Sequence, residues 1–199
     1  HNVTGNIEPA ISLLPSTVNL YFCTKNNGVY KKGDTAFHAG KGASNWKLIR
    51  QGNDNVLTAE VFTHLLSNNQ ESENLILLLW KKLLINCVIN PLTTINNVKN
   101  GELVQPQYTS VIEALIEEVC KVAQAEQVNL NIKQMTHDVY DVINKTSSNT
   151  SSMLQDRLNG LPTEINYING FIVETAKKLQ LKVPANQQTF DDVLSITQA

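Results

Sequence analysis

The stretch that decides the fold is LLLWKKLLINCVINP, residues 77–91. As a helix it is apolar on almost every side, which is typical of a core helix, yet it carries polar residues at Lys82, Asn86 and Asn90. These three are four residues apart, so each step turns the side chain by only about 40° around the helix axis. The stretch therefore predicts a core helix with one narrow polar stripe.

The chemistry of this stripe leaves two interpretations open. An ammonium group followed by two amides, which both donate and accept hydrogen bonds, suits a ligand with oxygens along its length, such as a hydroxy or keto acid. Alternatively, Lys82 extends to water and the two asparagines cap neighbouring elements. Because burying a lysine is costly, an inward-facing Lys82 would indicate a functional role.

The chain from this helix onward is predicted to be all-helical. The first helix, residues 74–89, should end or kink at Pro91, because the residue before a proline avoids the α region. Apolar residues recur at helical spacing up to a polar break at 146–152, and again from Ile165 to Leu179 in the last long helix. Residues 110–113 (SVIE) have the spacing of a capping box at a helix start.

The residues before this helix indicate an α/β structure. Residues 18–24 and 35–38 are rich in strand formers and are flanked by turn signals. Residues 40–45 (GKGASN) lack the third glycine of a dinucleotide fingerprint and lead into a strand rather than a helix, so they predict a plain β-turn. The polar segment 67–73 is the best domain boundary.

Composition excludes several classes of function. The net charge of −2 argues against a general nucleic-acid binder, which needs a basic face. Lys81 and Lys82 interrupt the most apolar run before it reaches the ~20 residues that cross a bilayer. The three cysteines form no CxxC pair and the histidines show no metal spacing, so no disulfide framework and no metal site are predicted. We expect a cytoplasmic protein without nucleic-acid or membrane partners.

Two long motifs resemble those of the ketopantoate reductase (2-dehydropantoate 2-reductase) family. They are residues 80–94 with Asn100-Gly-Glu-Leu103, and residues 151–156 with 162–170. The resemblance implies an α/β remnant of a Rossmann domain, residues 1–72, followed by an all-α C-terminal substrate domain, residues 73–199. The family's Gly-rich phosphate loop has no counterpart here, so we expect a fragment that does not turn over or bind NADPH tightly by itself.

The resemblance also implies an activity and a set of residue roles. The activity is NADPH-dependent reduction of 2-dehydropantoate to (R)-pantoate in pantothenate biosynthesis, with Lys82 as the catalytic proton donor. The other implied roles are substrate binding by Asn86, Asn90, Asn100 and Ser152, and cofactor binding by Asn2, Val29 and Glu164. The lysine stripe matches the family pattern in full, whereas Val3 and Leu161 depart from it.

Three questions stay open at the level of sequence. The substrate could be another 2-keto acid rather than ketopantoate. The helical part could also be a non-catalytic interaction module, in which case Lys82 would be dispensable for activity. The oligomeric state is not encoded in any motif, although a homodimer is a reasonable expectation.

Overall fold

The computed structural model describes residues 13–25, 28–32, 35–40, 44–53, 61, 64 and 69–197 of the chain. These residues form two compact units, and the division along the chain falls between Leu75 and Ile76. The first unit contains the described strands, and the second contains the long helices.

The first unit is built on two small sheets. Its strands are β1 (Leu20–Lys25), β2 (Gly28–Lys32), β3 (Thr35–Gly40), β4 (Ser44–Arg50) and β5 (Asn69–Glu71). In one sheet β4 pairs antiparallel with β1 and parallel with β5, while β2 and β3 form a separate antiparallel hairpin. Trp46 on β4 is 3% exposed, and its ring lies 6.3 Å from that of Tyr21. The strands predicted at 18–24 and 35–38 are therefore confirmed.

The described residues of the second unit form helices and the loops that connect them. Its α-helices are α1 (Leu75–Asn96), α2 (Thr109–Ala125), α3 (Ile132–Lys145), α4 (Ser152–Leu158), α5 (Asn169–Lys178) and α6 (Pro184–Thr197). Short 3₁₀ turns lie at Asn100–Val104, Pro106–Tyr108 and Ile165–Tyr167. The predicted polar break at 146–152 is confirmed as the link between α3 and α4.

Helix α1 is the core helix of this unit. Its residues Leu83, Leu84, Cys87 and Val88 are completely buried among the apolar side chains of the other helices. By length and composition α1 could also cross a membrane, but 61% of its apolar window is buried inside the protein. Burial in the core thus accounts for its hydropathy.

Of the two outcomes predicted at Pro91, an end or a kink, the end is wrong, because helix α1 continues to Asn96. Proline has no N–H, so the carbonyl of Cys87, four residues earlier, loses its helical donor. The side chain of Asn169 on α5 donates to that carbonyl instead, at 3.0 Å. Past the proline, the Thr94 hydroxyl donates to the Asn90 carbonyl at 2.6 Å. Polar side chains thus replace or supplement the backbone bonds around Pro91.

Two predicted helix starts are also wrong. Ser110 does not cap α2, because the turn Pro106–Tyr108 runs directly into the helix and Tyr108 occupies the cap position. The last predicted helix begins later than Ile165, since Ile165–Tyr167 forms a 3₁₀ turn and Ile168 (φ −108°, ψ −95°) interrupts the helical path. Apolar spacing marks helices only as far as Leu179, and the structure adds α6 beyond that point.

The start of α6 is fixed by Glu118 on α2. The Glu118 carboxylate accepts the backbone N–H groups of Ala185 and Asn186, each at 2.8 Å. It also accepts the side-chain amide of Asn186 at 2.9 Å. A carboxylate suits a helix N-terminus, where backbone donors lack helical partners and the helix dipole favours negative charge.

Two of the three cysteines are buried in the helical unit. Cys87 is completely buried and Cys120 is 4% exposed, whereas Cys23 in the first unit is exposed. Burial raises the pKa of the Cys120 thiol to about 11, with a smaller contribution from Glu117. Burial also raises the pKa of the Cys87 thiol, well above its usual range.

Candidate functional site

The polar stripe of α1 runs from the surface into the core. Lys82 is exposed, Asn86 is half-buried and Asn90 is 8% exposed. The three residues lie on one continuous helix, so successive members are about 6 Å apart along its axis. The stripe therefore presents one cation at its open end and two amides progressively deeper in the protein.

The electrostatic setting of Lys82 distinguishes it from an ordinary surface lysine. Much of its side chain remains open to solvent, yet enough protein surrounds the ammonium that burial lowers its pKa below the usual value. The nearby charge of Glu164 opposes this and raises the pKa. Lys82 thus gives up its proton more readily than a free lysine, while a carboxylate keeps the charged form accessible.

Glu164 also acts on a second carboxyl group. Burial raises the pKa of Asp156 on α4, and the negative charge of Glu164 raises it further. Glu164 itself is half-buried and directly precedes the turn Ile165–Tyr167. Glu164 therefore interacts electrostatically with the ammonium group of Lys82 on α1 and with the carboxyl group of Asp156 on α4.

The far end of the stripe is tied to the start of α4. The hydroxyl groups of Thr93 and Ser151 lie 2.7 Å apart, and Thr93 also donates to the Ile89 and Asn90 carbonyls at 2.8 and 3.0 Å. Ser151 is the N-cap of α4 and accepts the Leu154 N–H at 3.2 Å. Its neighbour, the predicted ligand Ser152, is the first residue of the helix and is exposed.

Arg157 adds a second tie between the same two helices, since its guanidinium donates to the Thr94 carbonyl at 2.7 Å. Because α4 is held at both ends on the C-terminal part of α1, Ser152 is fixed relative to Asn90. Asp156 is the fourth residue after Ser152, so both lie on nearly the same face of α4.

The predicted ligand Asn100 lies on the other side of the α3–α4 link. It is 6% exposed, and its amide donates to the Thr146 hydroxyl at 2.8 Å. Its backbone N–H donates to the Asn149 carbonyl at 3.0 Å. Among the described residues its Oδ1 has no hydrogen-bond partner. The link thus contacts Asn100 near one end and Thr93 near the other.

The two remaining residues predicted to bind cofactor, Asn2 and Val29, precede helix α1 in the sequence. Asn2 lies outside the described residues. Val29 lies on β2, opposite His38 on β3.

Two cavities of about 400 Å³ open on the helical unit. One is lined by α4, α6 and the segment between α4 and α5, including Arg157, Thr163 and Leu194, and adjoins Glu164 through its chain neighbours. The other lies between α5 and α6, around Lys177 and Lys182. The stripe residues line neither cavity. Across the described ranges, no three His, Cys, Asp or Glu side chains are grouped to hold a metal ion.

Sequence reasoning missed the residues that hold the site together, which are Thr93, Arg157 and Asn169. For Asn169 a signal existed, because a proline inside a core helix requires a donor for the carbonyl it frees. The sequence does not say which distant side chain supplies it.

Comparison with known proteins identifies the family to which this arrangement belongs. The family model described as "Ketopantoate reductase PanE/ApbA C terminal" matches residues 74–195. The chain belongs to the ketopantoate reductase family. The matched segment contains every predicted site residue except Asn2 and Val29, so the resemblance seen in the motifs is confirmed.

Individual relatives extend the match over the rest of the chain. The 2-dehydropantoate 2-reductase of Vibrio cholerae serotype O1 is 34% identical over 100% of this chain and 68% of its own length. The crystal structure of a probable 2-dehydropantoate 2-reductase from Bacillus subtilis is 26% identical, with a TM-score of 0.78 over 97% of this chain and 66% of its own.

A third protein shares the fold alone. D-mandelate dehydrogenase, solved in complex with NADH, has a TM-score of 0.85 at 20% identity over 98% of this chain and 67% of its own. The chain therefore spans about two thirds of the length of all three proteins. The predicted fold class, an α/β remnant of a Rossmann domain followed by an all-α domain, is confirmed.

Proposed function

We propose that the chain contributes to the NADPH-dependent reduction of 2-dehydropantoate to (R)-pantoate in pantothenate biosynthesis. Family membership and the named Vibrio cholerae relative support this activity. The observation that carries the proposal is the setting of Lys82, whose pKa is lowered by burial beside Glu164 at the open end of a stripe of amides.

Lys82 acts as the general acid in this mechanism. As the C2 carbonyl of the keto acid is reduced, negative charge grows on its oxygen, and the ammonium stabilises that charge and then transfers its proton to the oxygen. The lowered pKa makes this transfer easier than it would be from a free lysine. After the product leaves, Lys82 takes up a proton from solvent.

The other polar groups hold the substrate. Asn86 and Asn90 supply amide donors and acceptors that orient C2, which is the proximity contribution to the rate. Asn100 and Ser152 bind further substrate oxygens from the two ends of the α3–α4 link. Uncharged amides suit this role, because additional carboxylates would repel an anionic substrate.

The cofactor supplies the hydride when it is bound. The described residues fit such a group at one point, since the Glu164 carboxylate beside Lys82 offers acceptors suited to hydroxyl or amide donors. Asn2 and Val29 complete the proposed cofactor side. The choice of NADPH over NADH rests on the resemblance alone.

The test compares two adjacent lysines in the full-length gene product. Lys82→Ala should lower kcat for ketopantoate by roughly 10²–10⁴-fold, the usual contribution of one general acid. Lys81→Ala is the matched control and should retain kcat within about twofold, because removing a charge one residue away leaves the stripe intact. Equal activities in the two variants would instead favour a non-catalytic interaction module.

A different 2-keto acid is the second candidate substrate. D-mandelate dehydrogenase shares this fold, so the fold alone does not select the acid. Comparing kcat/KM for ketopantoate with those for a panel of 2-keto acids, including an aryl one, decides the matter. A preference for another acid of tenfold or more, about 1.4 kcal/mol, would replace ketopantoate but leave the role of Lys82 in place.

We further propose the division into residues 1–72, the C-terminal part of the cofactor domain, and 73–199, the helical substrate domain. A cytoplasmic location and a homodimer complete the proposal. Exposed apolar side chains such as Leu158 and Leu161, 64% and 54% exposed, support association. Light scattering during size-exclusion chromatography distinguishes a dimer from a monomer.

A further inference from the structure

The turn of α1 between Asn86 and Asn90 contains a backbone defect. Pro91 cannot donate to the Cys87 carbonyl, and this carbonyl lies in the core, where water does not replace the missing donor. The Asn169 amide occupies the vacant donor position at 3.0 Å, from a residue 82 positions further along the chain. This bond closes the turn that carries two of the proposed substrate ligands.

The orientation of the Asn169 amide is determined by its neighbours. The Glu118 carboxylate only accepts hydrogen bonds, so Asn186 must turn its NH₂ group toward it, at 2.9 Å. The Asn186 Oδ1 then faces Asn169, whose NH₂ group donates to it at 3.1 Å. The NH₂ group of Asn169 therefore faces both acceptors, Cys87 and Asn186. A chain of hydrogen bonds thus runs from α2 through α6 and α5 to α1.

The NH₂ group of Asn169 makes its side-chain hydrogen bonds, and its amide oxygen makes none among the described residues. The residue is completely buried, and among the described residues its Oδ1 has no hydrogen-bond partner. An unpaired buried oxygen is unfavourable, so packing alone would favour an apolar side chain here. The need for a donor to the Cys87 carbonyl accounts for an asparagine.

We infer that Asn169 is a positioning residue, which replaces the helical hydrogen bond lost at Pro91 and thereby sets the spacing of Asn86 and Asn90 for substrate. It acts through α1 and does not touch the substrate. The effect on substrate rests on the proposed function, whereas the hydrogen bond between Asn169 and the Cys87 carbonyl does not.

The test removes the side-chain donor of Asn169 and supplies a backbone donor at position 91 instead. Asn169→Ala removes the amide and leaves the carbonyl unpaired. Pro91→Ala introduces a backbone N–H that can make the ordinary helical bond to Cys87. In the full-length gene product, Asn169→Ala should raise KM for ketopantoate about tenfold, and adding Pro91→Ala should recover most of this loss. Pro91→Ala alone should have a KM near that of the unmodified protein.

A core variant separates positioning from general destabilisation. Val139→Ala removes completely buried methyl groups on α3, so it lowers the melting temperature without touching the turn at Pro91. It should leave KM unchanged at a temperature where both variants are folded. An equal rise of KM in Val139→Ala, or additive effects of the Pro91 and Asn169 changes, would overturn the inference.

Urea denaturation of the same variants tests the bond without any substrate. Asn169→Ala should lower the urea concentration at the midpoint of unfolding, and the double variant should recover part of this decrease. If Asn169→Ala does not fold, recovery of folded protein by Pro91→Ala is the same rescue, and failure of both variants to fold counts against the bond. If the unmodified protein does not reduce ketopantoate, the proposed function fails. The recovery of stability by Pro91→Ala in urea still decides whether Asn169 replaces the missing hydrogen bond.

Discussion

Substitution by alanine should affect different properties at the adjacent residues Ser151 and Ser152: stability at Ser151 and substrate binding at Ser152. Ser151→Ala removes the side-chain acceptor of the Leu154 N–H, at 3.2 Å, and the hydroxyl 2.7 Å from Thr93. Loss of an N-cap costs about 1 kcal/mol, and loss of one buried hydrogen bond costs about as much again. Thr93 can still donate to the Ile89 carbonyl at 2.8 Å, so no buried hydroxyl loses its only acceptor. We expect a loss of about 2 kcal/mol in the free energy of unfolding.

Ser152→Ala serves as the control for Ser151→Ala. Its side chain is exposed, so the free energy of unfolding should change by less than about 0.5 kcal/mol. If Ser152 binds substrate, however, its variant should raise KM for ketopantoate while Ser151→Ala acts mainly on stability. Urea denaturation followed by circular dichroism, with steady-state kinetics alongside, measures both effects. Equal losses of stability in the two variants would refute the assignment of Ser151 as the cap.

Three further predictions concern other parts of the site. Gly101→Ala should cost about 1–3 kcal/mol of overpacking, because its new Cβ would lie 2.7 Å from the Cβ of Ser147; thermal denaturation measures the loss, and Ser147→Gly should recover part of it. Glu164→Gln removes a charge that raises the pKa of Lys82, so the pH above which kcat falls should move lower, and an unmoved pH–rate profile would contradict this. Burial raises the pKa of Asp156, and the charge of Glu164 raises it further, so the ionised form of Asp156 opposes folding. Asp156→Asn should therefore raise the melting temperature at pH 7. This gain should shrink as the pH falls through the raised pKa towards the ordinary value of 3.8.

The features predicted well from sequence are those set by local periodicity. Apolar spacing identified α1 as a core helix, and four-residue spacing placed Lys82, Asn86 and Asn90 on one stripe. Both follow from helix geometry alone, so they need no knowledge of what packs against the helix. The motifs likewise indicated the family, because they contain the stripe residues and Glu164.

The errors came from interactions between distant residues. Local rules end or kink α1 at Pro91, yet Asn169 allows the helix to continue by donating to the Cys87 carbonyl from α5. Local rules also place a cap at Ser110, whereas the preceding turn already starts the helix at Thr109. The pKa of Lys82 depends on burial and on Glu164, which is 82 residues away, so spacing on α1 could not reveal it.

The contrast between the buried and exposed cysteines provides a natural reporter of core opening. A thiol reacts with alkylating agents as its thiolate and only when the reagent can reach it, so Cys87 and Cys120 are protected on both counts in the folded chain. Cys23 is exposed and should be labelled at once, which gives an internal reference within each molecule. The slow labelling of the other two then measures how often the helical unit opens, without any introduced probe.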